Sequence, residues 1–244
     1  MSIFEGRVAV VTGASRGIGR AVAYALGASG AQVVAVARTV GGLEELDDAI
    51  CAAGGPKPVL VPLDITDFPA IDRLGAALFE RFGKVDILVG NAGALGQLSP
   101  LGHVEPKTWD KVMSLNVTAN WRLIRSLDPL LRRSDAGRAV FITSGAARSA
   151  KAYWGPYSVS KAALDTLVRT YAAETRQTHV KANLFNPGPV RTGMRAAAMP
   201  GEDPATLPAP EELVPHILAL LQPAMPESGR IYDFPARAFV PVSA

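Results

Sequence analysis

Cysteine is almost absent. Cys51 is the single one in 244 residues, so the chain has no internal disulfide framework and no cysteine-cluster zinc site. Histidine is nearly as scarce. His103, His179 and His216 are widely spaced, and no metal is expected. No apolar run approaches the roughly 20 residues that a membrane span needs, because charged, polar or Gly residues interrupt every hydrophobic stretch. The opening residues, Met1-Ser2-Ile3-Phe4-Glu5-Gly6-Arg7, lack the basic-then-apolar layout of a signal peptide, and a reducing cytoplasmic setting is expected. A strong charge bias is missing too. The net charge is +3, and the nearest thing to a basic patch is Arg122, Arg125, Arg132 and Arg133. No basic run is interleaved with aromatics, so neither a nucleic acid nor a membrane is expected as a partner.

What is present is ordinary globular composition: 48% hydrophobic, 19% charged, 23 Gly and 19 Pro. A chain of this length buries roughly 70–75% of its unfolded surface and needs no cross-link to hold a core. Short β-branched runs alternate with longer amphipathic or Ala-rich segments. The runs are Arg7–Thr12, Gln32–Ala37, Val59–Pro62, Val85–Val89, Arg138–Thr143, Val180–Phe185 and Arg230–Asp233. Helices are predicted between them, among them Ile18–Ala28, Leu43–Ala53, Ile71–Phe82, Thr108–Leu131, Tyr157–Thr175 and Glu211–Leu221. Near-continuous apolar strands are buried on both faces, and strand–helix alternation calls for right-handed parallel crossovers. The expected fold is a single-domain Rossmann-like doubly wound α/β domain over residues 1–244, with a seven-stranded parallel sheet flanked by helices. The Pro-rich segment 194–210 reads as a loop with one short helix, long enough to serve as a substrate lid.

Three patterns carry chemistry. Thr12-Gly13-Ala14-Ser15-Arg16-Gly17-Ile18-Gly19 lies between the first strand and the first helix. There Gly13, Gly17 and Gly19 let the backbone approach a diphosphate resting on helix N-terminal amides. Glycines at this spacing are weak evidence alone; their place in a βαβ unit is what counts. The second strand ends in Ala37-Arg38-Thr39, where folds that bind the unphosphorylated cofactor usually carry a carboxylate for the ribose. Arg38, with Arg16, offers cations to a 2′-phosphate instead, so NADP(H) is expected over NAD(H); the bland reading is two solvated arginines. Tyr157 and Lys161 stand four apart in a predicted helix and share a face. An adjacent ammonium is expected to lower the phenol pKa and make it a working acid–base group, although such pairs are more often plain helix-face neighbours. Ser144 ends the fifth strand, at the carboxyl edge where active crevices form.

Together these residues resemble the classical short-chain dehydrogenases/reductases, collinearly over essentially the whole chain. The Gly-rich turn is similar to that family's cofactor motif. The resemblance implies a cofactor site built from Gly13, Ser15, Arg16, Gly17, Ile18, Gly19, Arg38, Thr39, Asp64, Ile65, Asn91, Ala92, Gly93, Tyr157, Lys161, Pro187, Gly188, Val190 and Thr192. Within it, Asp64 would meet the adenine amino group, Asn91-Ala92-Gly93 would steady the sheet beside the adenosine, and Asn186–Thr192 would cradle the nicotinamide. Asn116, Ser144, Tyr157 and Lys161 match the catalytic tetrad, Asn116 holding a water against the lysine. Two departures stand out. Gly90 replaces the asparagine that often precedes Asn-Ala-Gly, and Ser228–Pro235 lacks the Asp-Gly-Gly ending common among tetrameric members. A homodimer or homotetramer is still expected.

The expected activity is NADP(H)-dependent hydride transfer to a carbonyl or from a secondary alcohol. The expected substrate is a medium-sized apolar ketone or a 3-oxoacyl thioester, whose acidic carrier Arg132 and Arg133 would dock. Leu95, Ala146, Trp154 and Met194 are candidate pocket residues, mostly apolar as small-molecule sites tend to be. The alternative from another class is a non-catalytic NADP(H)-binding regulatory protein. A complete Asn116/Ser144/Tyr157/Lys161 set argues against it, and 244 residues leave no room for the larger C-terminal region of extended epimerases.

Overall fold

A computed structural model of the chain describes residues 2–241; Met1 and residues 242–244, the ends of the expected domain, lie outside the described residues. The β-branched runs form β1 (Val8–Thr12), β2 (Gln32–Ala37), β3 (Val59–Pro62), β4 (Ile87–Gly90), β5 (Arg138–Ile142), β6 (Lys181–Asn186) and β7 (Ile231–Asp233). These seven pair in parallel in the order β3-β2-β1-β4-β5-β6-β7. Val10, for example, stands between Val34 and Leu88. The helices are α1 (Gly17–Ala28), α2 (Val40–Ala52), α3 (Phe68–Phe82), α4 (Pro106–Met113), α5 (Ala119–Leu131), α6 (Ala146–Ser149), α7 (Gly155–Glu174), α8 (Gly193–Ala198) and α9 (Pro210–Leu221).

Strand side chains alternate between the two faces, so each face acquires its own apolar layer. On one, Leu26, Leu43, Ile50, Leu213 and Ile217 of α1, α2 and α9 cover Val11, Val33 and Val89. On the other, Ile71, Leu78, Leu123, Leu127, Leu164 and Val168 of α3, α5 and α7 cover Val10, Val34 and Leu88. Strand order reverses between β1 and β4, and the crevice outside their carboxyl ends is where such sheets bind ligands.

Three features depart from the sequence reading. Among the described residues the sheet has eight strands rather than seven, and the last is antiparallel: β8 (Ala238–Val240) folds back on β7. Arg237 makes the reversal in the left-handed region at φ 54°, and Phe239 packs edge-on against Tyr232 at 5.5 Å. The helix expected over Thr108–Leu131 is α4 and α5 joined by a π turn at Ser114–Thr118, a wider coil that recurs at functional sites. The short helix α6 had no sequence signal. Segment 194–210 holds most of α8, a tight turn at Pro204–Thr206 and the first residue of α9. Arg195 grips Glu202 across it through two bonds of 2.5 and 2.6 Å.

Candidate active site

The Gly-rich turn is packed backbone against backbone. Gly13 has φ +67°, and a Cβ there would stand 2.7 Å from the Asn91 side-chain Nδ2 and 3.1 Å from the Ala92 Cα; one on Gly19 would stand 2.3 Å from the Gly13 carbonyl oxygen. Gly17, at φ +57°, has only the Thr192 methyl nearby, 3.6 Å from where its Cβ would be. Thr192 therefore faces the turn. Asn91 donates through Nδ2 to the Thr12 carbonyl at 2.9 Å. The backbone N–H groups of Asn91 and Ala92 both donate to the Thr12 hydroxyl at 3.0 and 3.1 Å. Thr12 was not singled out from sequence, yet it ties the end of β4 to the end of β1. Ser15 touches α2, since a Cβ on Gly42 would meet its carbonyl oxygen at 2.8 Å.

Some expected cofactor residues can act only through their backbone. Ile65 and Val190 are buried in the two apolar layers and Ile18 packs against one of them. Thr39 and Arg16 are exposed at the starts of α2 and α1. Gly188, at φ +65°, lies under Pro235, and Asn186 braces this Pro187–Gly188 turn by accepting from the Gly188 N–H at 3.2 Å. Arg38 projects into solvent at the end of β2 and reaches Asp64 at 3.5 Å. Burial alone would raise the Asp64 carboxyl, but hydrogen bonds from Thr66 and the Arg38 charge outweigh it and hold it below the usual range.

The tip of β5 meets one face of α7 in three places. The Ser144 hydroxyl lies beside the Tyr157 phenol, the Ile142 carbonyl accepts from Lys161 Nζ at 2.7 Å, and the Thr143 hydroxyl donates to Asp165. Tyr157, Lys161 and Asp165 follow at steps of four, which places them on one stripe. Asn116 is fully buried in the π turn. Its Oδ1 accepts from the Ala94 N–H at 2.8 Å, and its Nδ2 donates to the Ala94 carbonyl and the Ser160 hydroxyl, both at 2.9 Å. Its side chain thus serves as a strand-like partner for the segment after β4, and its backbone carbonyl accepts from Asn120 Nδ2 at 2.8 Å. Gly93 leaves this corner open: a Cβ there would sit 3.2 Å from Asn116 Oδ1 and 3.7 Å from Lys161 Nζ.

Asn120 also explains the departure at Gly90. A Cβ on Gly90 would lie 2.3 Å from the Phe141 ring and 2.8 Å from Asn120 Oδ1. The room beside Gly90 is thus filled by an amide from α5.

The electrostatics correct one expectation. Burial raises the Tyr157 phenol above its ordinary value, with the Ser144 hydroxyl pulling the other way; the lysine does not lower it. Burial also brings the Lys161 ammonium down to about 8, against the attraction of Asp165. Both groups are costly to ionise in a dry site.

Among the expected pocket residues, Ala146 donates its N–H to the Ser144 hydroxyl at 3.2 Å and the Trp154 ring lies 6.0 Å from that of Tyr157. Leu95 is half-buried beside the Ala94 clamp, and Met194 is exposed on α8. A separate cavity of about 290 Å³ lies under the 194–210 segment, lined by Thr192, Ala196, Met199, Glu202 and Leu207 among others. None of the four expected pocket residues lines it. Thr12, Thr143, Asn120 and Asp165 are the polar residues that sequence reasoning missed. Only Asp165 had a legible signal, as the next step of the Tyr157–Lys161 spacing.

Comparison with known proteins identifies the family. Residues 7–203 match the family model described as short chain dehydrogenase. The oxidoreductase YciK of Escherichia coli K12 is 35% identical, over 90% of this chain and 87% of its own. A rhamnolipids biosynthesis 3-oxoacyl-[acyl-carrier-protein] reductase of Pseudomonas aeruginosa is 37% identical, over 86% of this chain and 82% of its own. The crystal structure of a short chain dehydrogenase from Escherichia coli CFT073, complexed with NADPH, superposes with a TM-score of 0.91 at 34% identity, covering 95% of this chain and 98% of that one.

Proposed function

Because the chain belongs to the short-chain dehydrogenase family, and is thus an oxidoreductase acting between alcohol and carbonyl carbon, we propose that it is an NADP(H)-dependent reductase of an apolar ketone or 3-oxoacyl thioester. The observation that carries the reading is the meeting of β5 and α7, which sets the Ser144 and Tyr157 hydroxyls together beside Lys161. The residues present fit a dinucleotide: the positive-φ glycines leave the α1 N-terminus open, and Thr192 faces it. When bound, NADP(H) supplies or accepts the hydride. Gly13, Ser15, Gly17 and Gly19 hold its diphosphate with backbone amides. Asn91, Ala92 and Gly93 flank the adenosine with Asp64, and Pro187, Gly188, Val190 and Thr192 flank the nicotinamide.

In the reductive direction Tyr157 donates its proton to the substrate oxygen. Its raised pKa keeps that proton in place until charge develops on the acceptor. Ser144 hydrogen-bonds the same oxygen, a donor preorganised where negative charge grows. Lys161 binds the cofactor ribose, and Asn116 fixes the loop roofing it. Arg16 and Arg38 select the 2′-phosphate. The NADPH-bound relative supports that choice, and the Pseudomonas reductase supports the acyl substrate. Leu95, Ala146, Trp154 and Met194 form the apolar side of the pocket, and residues 194–210 close over it. Exposed Trp121 and Val159, on α5 and α7, support pairing of two subunits through those helices.

Nicotinamide fluorescence, titrated with NADPH and then NADH, tests the cofactor, and NADPH consumption with 3-oxoacyl thioesters tests the reaction. NADPH is expected to bind more tightly, and Tyr157→Phe to bind it normally without turnover. Equal affinities would remove the phosphate-grip role of the arginines, and turnover by the phenylalanine variant would refute the acid–base assignment. Binding without turnover of any carbonyl would favour a regulatory NADP(H) sensor.

A further inference from the structure

Asp165 is a carboxylic acid in the interior, 8% exposed, that the mechanism above does not use. Its position is specific. It lies one helical turn beyond Lys161 on the same face of α7, and it accepts a hydrogen bond from Thr143. Thr143 is itself fixed, because its backbone N–H donates to the Phe185 carbonyl at 2.9 Å. Residues 142 and 143 therefore hold Lys161 and Asp165 in one register. No ion pair joins the two side chains, whose nearest polar partners are the Ile142 carbonyl and the Thr143 hydroxyl. Other charges facing Asp165 are Arg148 on α6 and Arg169 further along α7; Tyr157 is the titratable group before Lys161 on the stripe.

We propose that Asp165, fixed by the Thr143 hydrogen bond, is a positioning residue that keeps Lys161 charged and aimed at the cofactor site. A buried ammonium tends to shed its proton, and a fixed anion one turn away opposes that loss. Burial pushes the Asp165 carboxyl above its ordinary range, and the Thr143 hydroxyl, with the Lys161, Arg148 and Arg169 charges, works against that rise. Asp165 touches neither substrate nor cofactor. The inference rests on the proposed role of Lys161 toward the cofactor only for its consequence; the titration itself needs neither ligand.

The experiment is a lysine titration of the cofactor-free protein carrying 13C/15N-lysine, followed by NMR, with the Lys161 signal identified by its loss in Lys161→Met. Asp165→Asn is expected to shift that titration to lower pH by about one unit. Thr143→Val should shift it the same way by less, and Thr143→Ser should restore it. In parallel, NADPH affinity of Asp165→Asn should match the parent at low pH and weaken several-fold as pH rises through the shifted value. An unchanged Lys161 titration in folded Asp165→Asn overturns the proposal, whatever the activity. If that variant unfolds, Thr143→Val against Thr143→Ser decides it alone: equal titrations in the two refute the coupling. A shifted titration in a protein that binds no NADPH would leave this coupling standing and refute the function proposed above.

Discussion

Replacing Asn116 with alanine should loosen the fold and the cofactor site together. The side chain makes three hydrogen bonds, two to the Ala94 backbone and one to Ser160, and is fully buried. At about 1 kcal/mol net for each bond, the variant should lose about 3 kcal/mol of stability. For a chain of this size that corresponds to a fall in Tm of roughly 6–12 °C. Ala94 itself is half-buried, so water can reach its freed backbone groups, which keeps the loss from growing further. The assay is urea and thermal unfolding of the cofactor-free protein by circular dichroism. Asn116→Asp is the companion variant: it keeps an acceptor for the Ala94 N–H, loses both donations and buries a charge, so it should be at least as destabilised. NADPH affinity measured on the same samples should drop with stability, because the clamped segment begins directly after Asn91-Ala92-Gly93. A loss under about 1 kcal/mol would show that the clamp is not an energetic tie, and lost stability with unchanged affinity would make it a purely structural one.

Three further outcomes follow from the geometry. Gly90→Ala should cost about 1–3 kcal/mol by crowding Phe141 and Asn120, and Asn120→Ala in the same chain should restore part of it; a double-mutant cycle with no coupling would refute the shared space. Arg38→Asp should weaken NADPH by about 10–100-fold, the worth of a charge-assisted bond, while NADH falls far less, as read by fluorescence titration; equal losses would show general electrostatics. Glu202→Gln should release Arg195 and change KM far more than kcat for any carbonyl found to turn over. The Arg195 hydrogen bond holds the Glu202 carboxyl below its usual range, so in the parent the latch is present above that range and opens only as pH falls through the depressed value. A KM unaffected by Glu202→Gln would detach the latch from substrate entry.

Much of this was readable in the chain because the signals were local. Each parallel strand announced itself as a β-branched run, and the glycines, Tyr157, Lys161 and Asn116 sat in short motifs. What was hidden depended on distant or solvent-related facts. β8 has three residues and follows a reversal at Arg237, where neither Gly nor Asn marks the turn. The Gly90–Asn120 exchange joins positions 30 apart in sequence, each innocuous alone. The sign of the Tyr157 shift was misjudged because sequence shows a lysine four residues on but not the depth of burial that raises the phenol. Asp165 continues the Tyr157–Lys161 spacing, but its burial is set by the strand tip above it and does not show in the sequence.

The join between β5 and α7 also bears on how the protein can change. All its polar rungs come from a buried strand end and the buried face of one helix, whereas Leu95, Trp154 and Met194, expected at the substrate, lie outside both. Ala150 and Tyr153, both at positive φ, bound a short connection that hangs off this join without contributing to it. On the proposed roles, proton delivery and most substrate contacts fall on separate parts of the chain, so the second can be rewritten while the first stays intact. For engineering, grafting another family member's 194–210 region should alter which carbonyl compound is accepted and spare proton delivery.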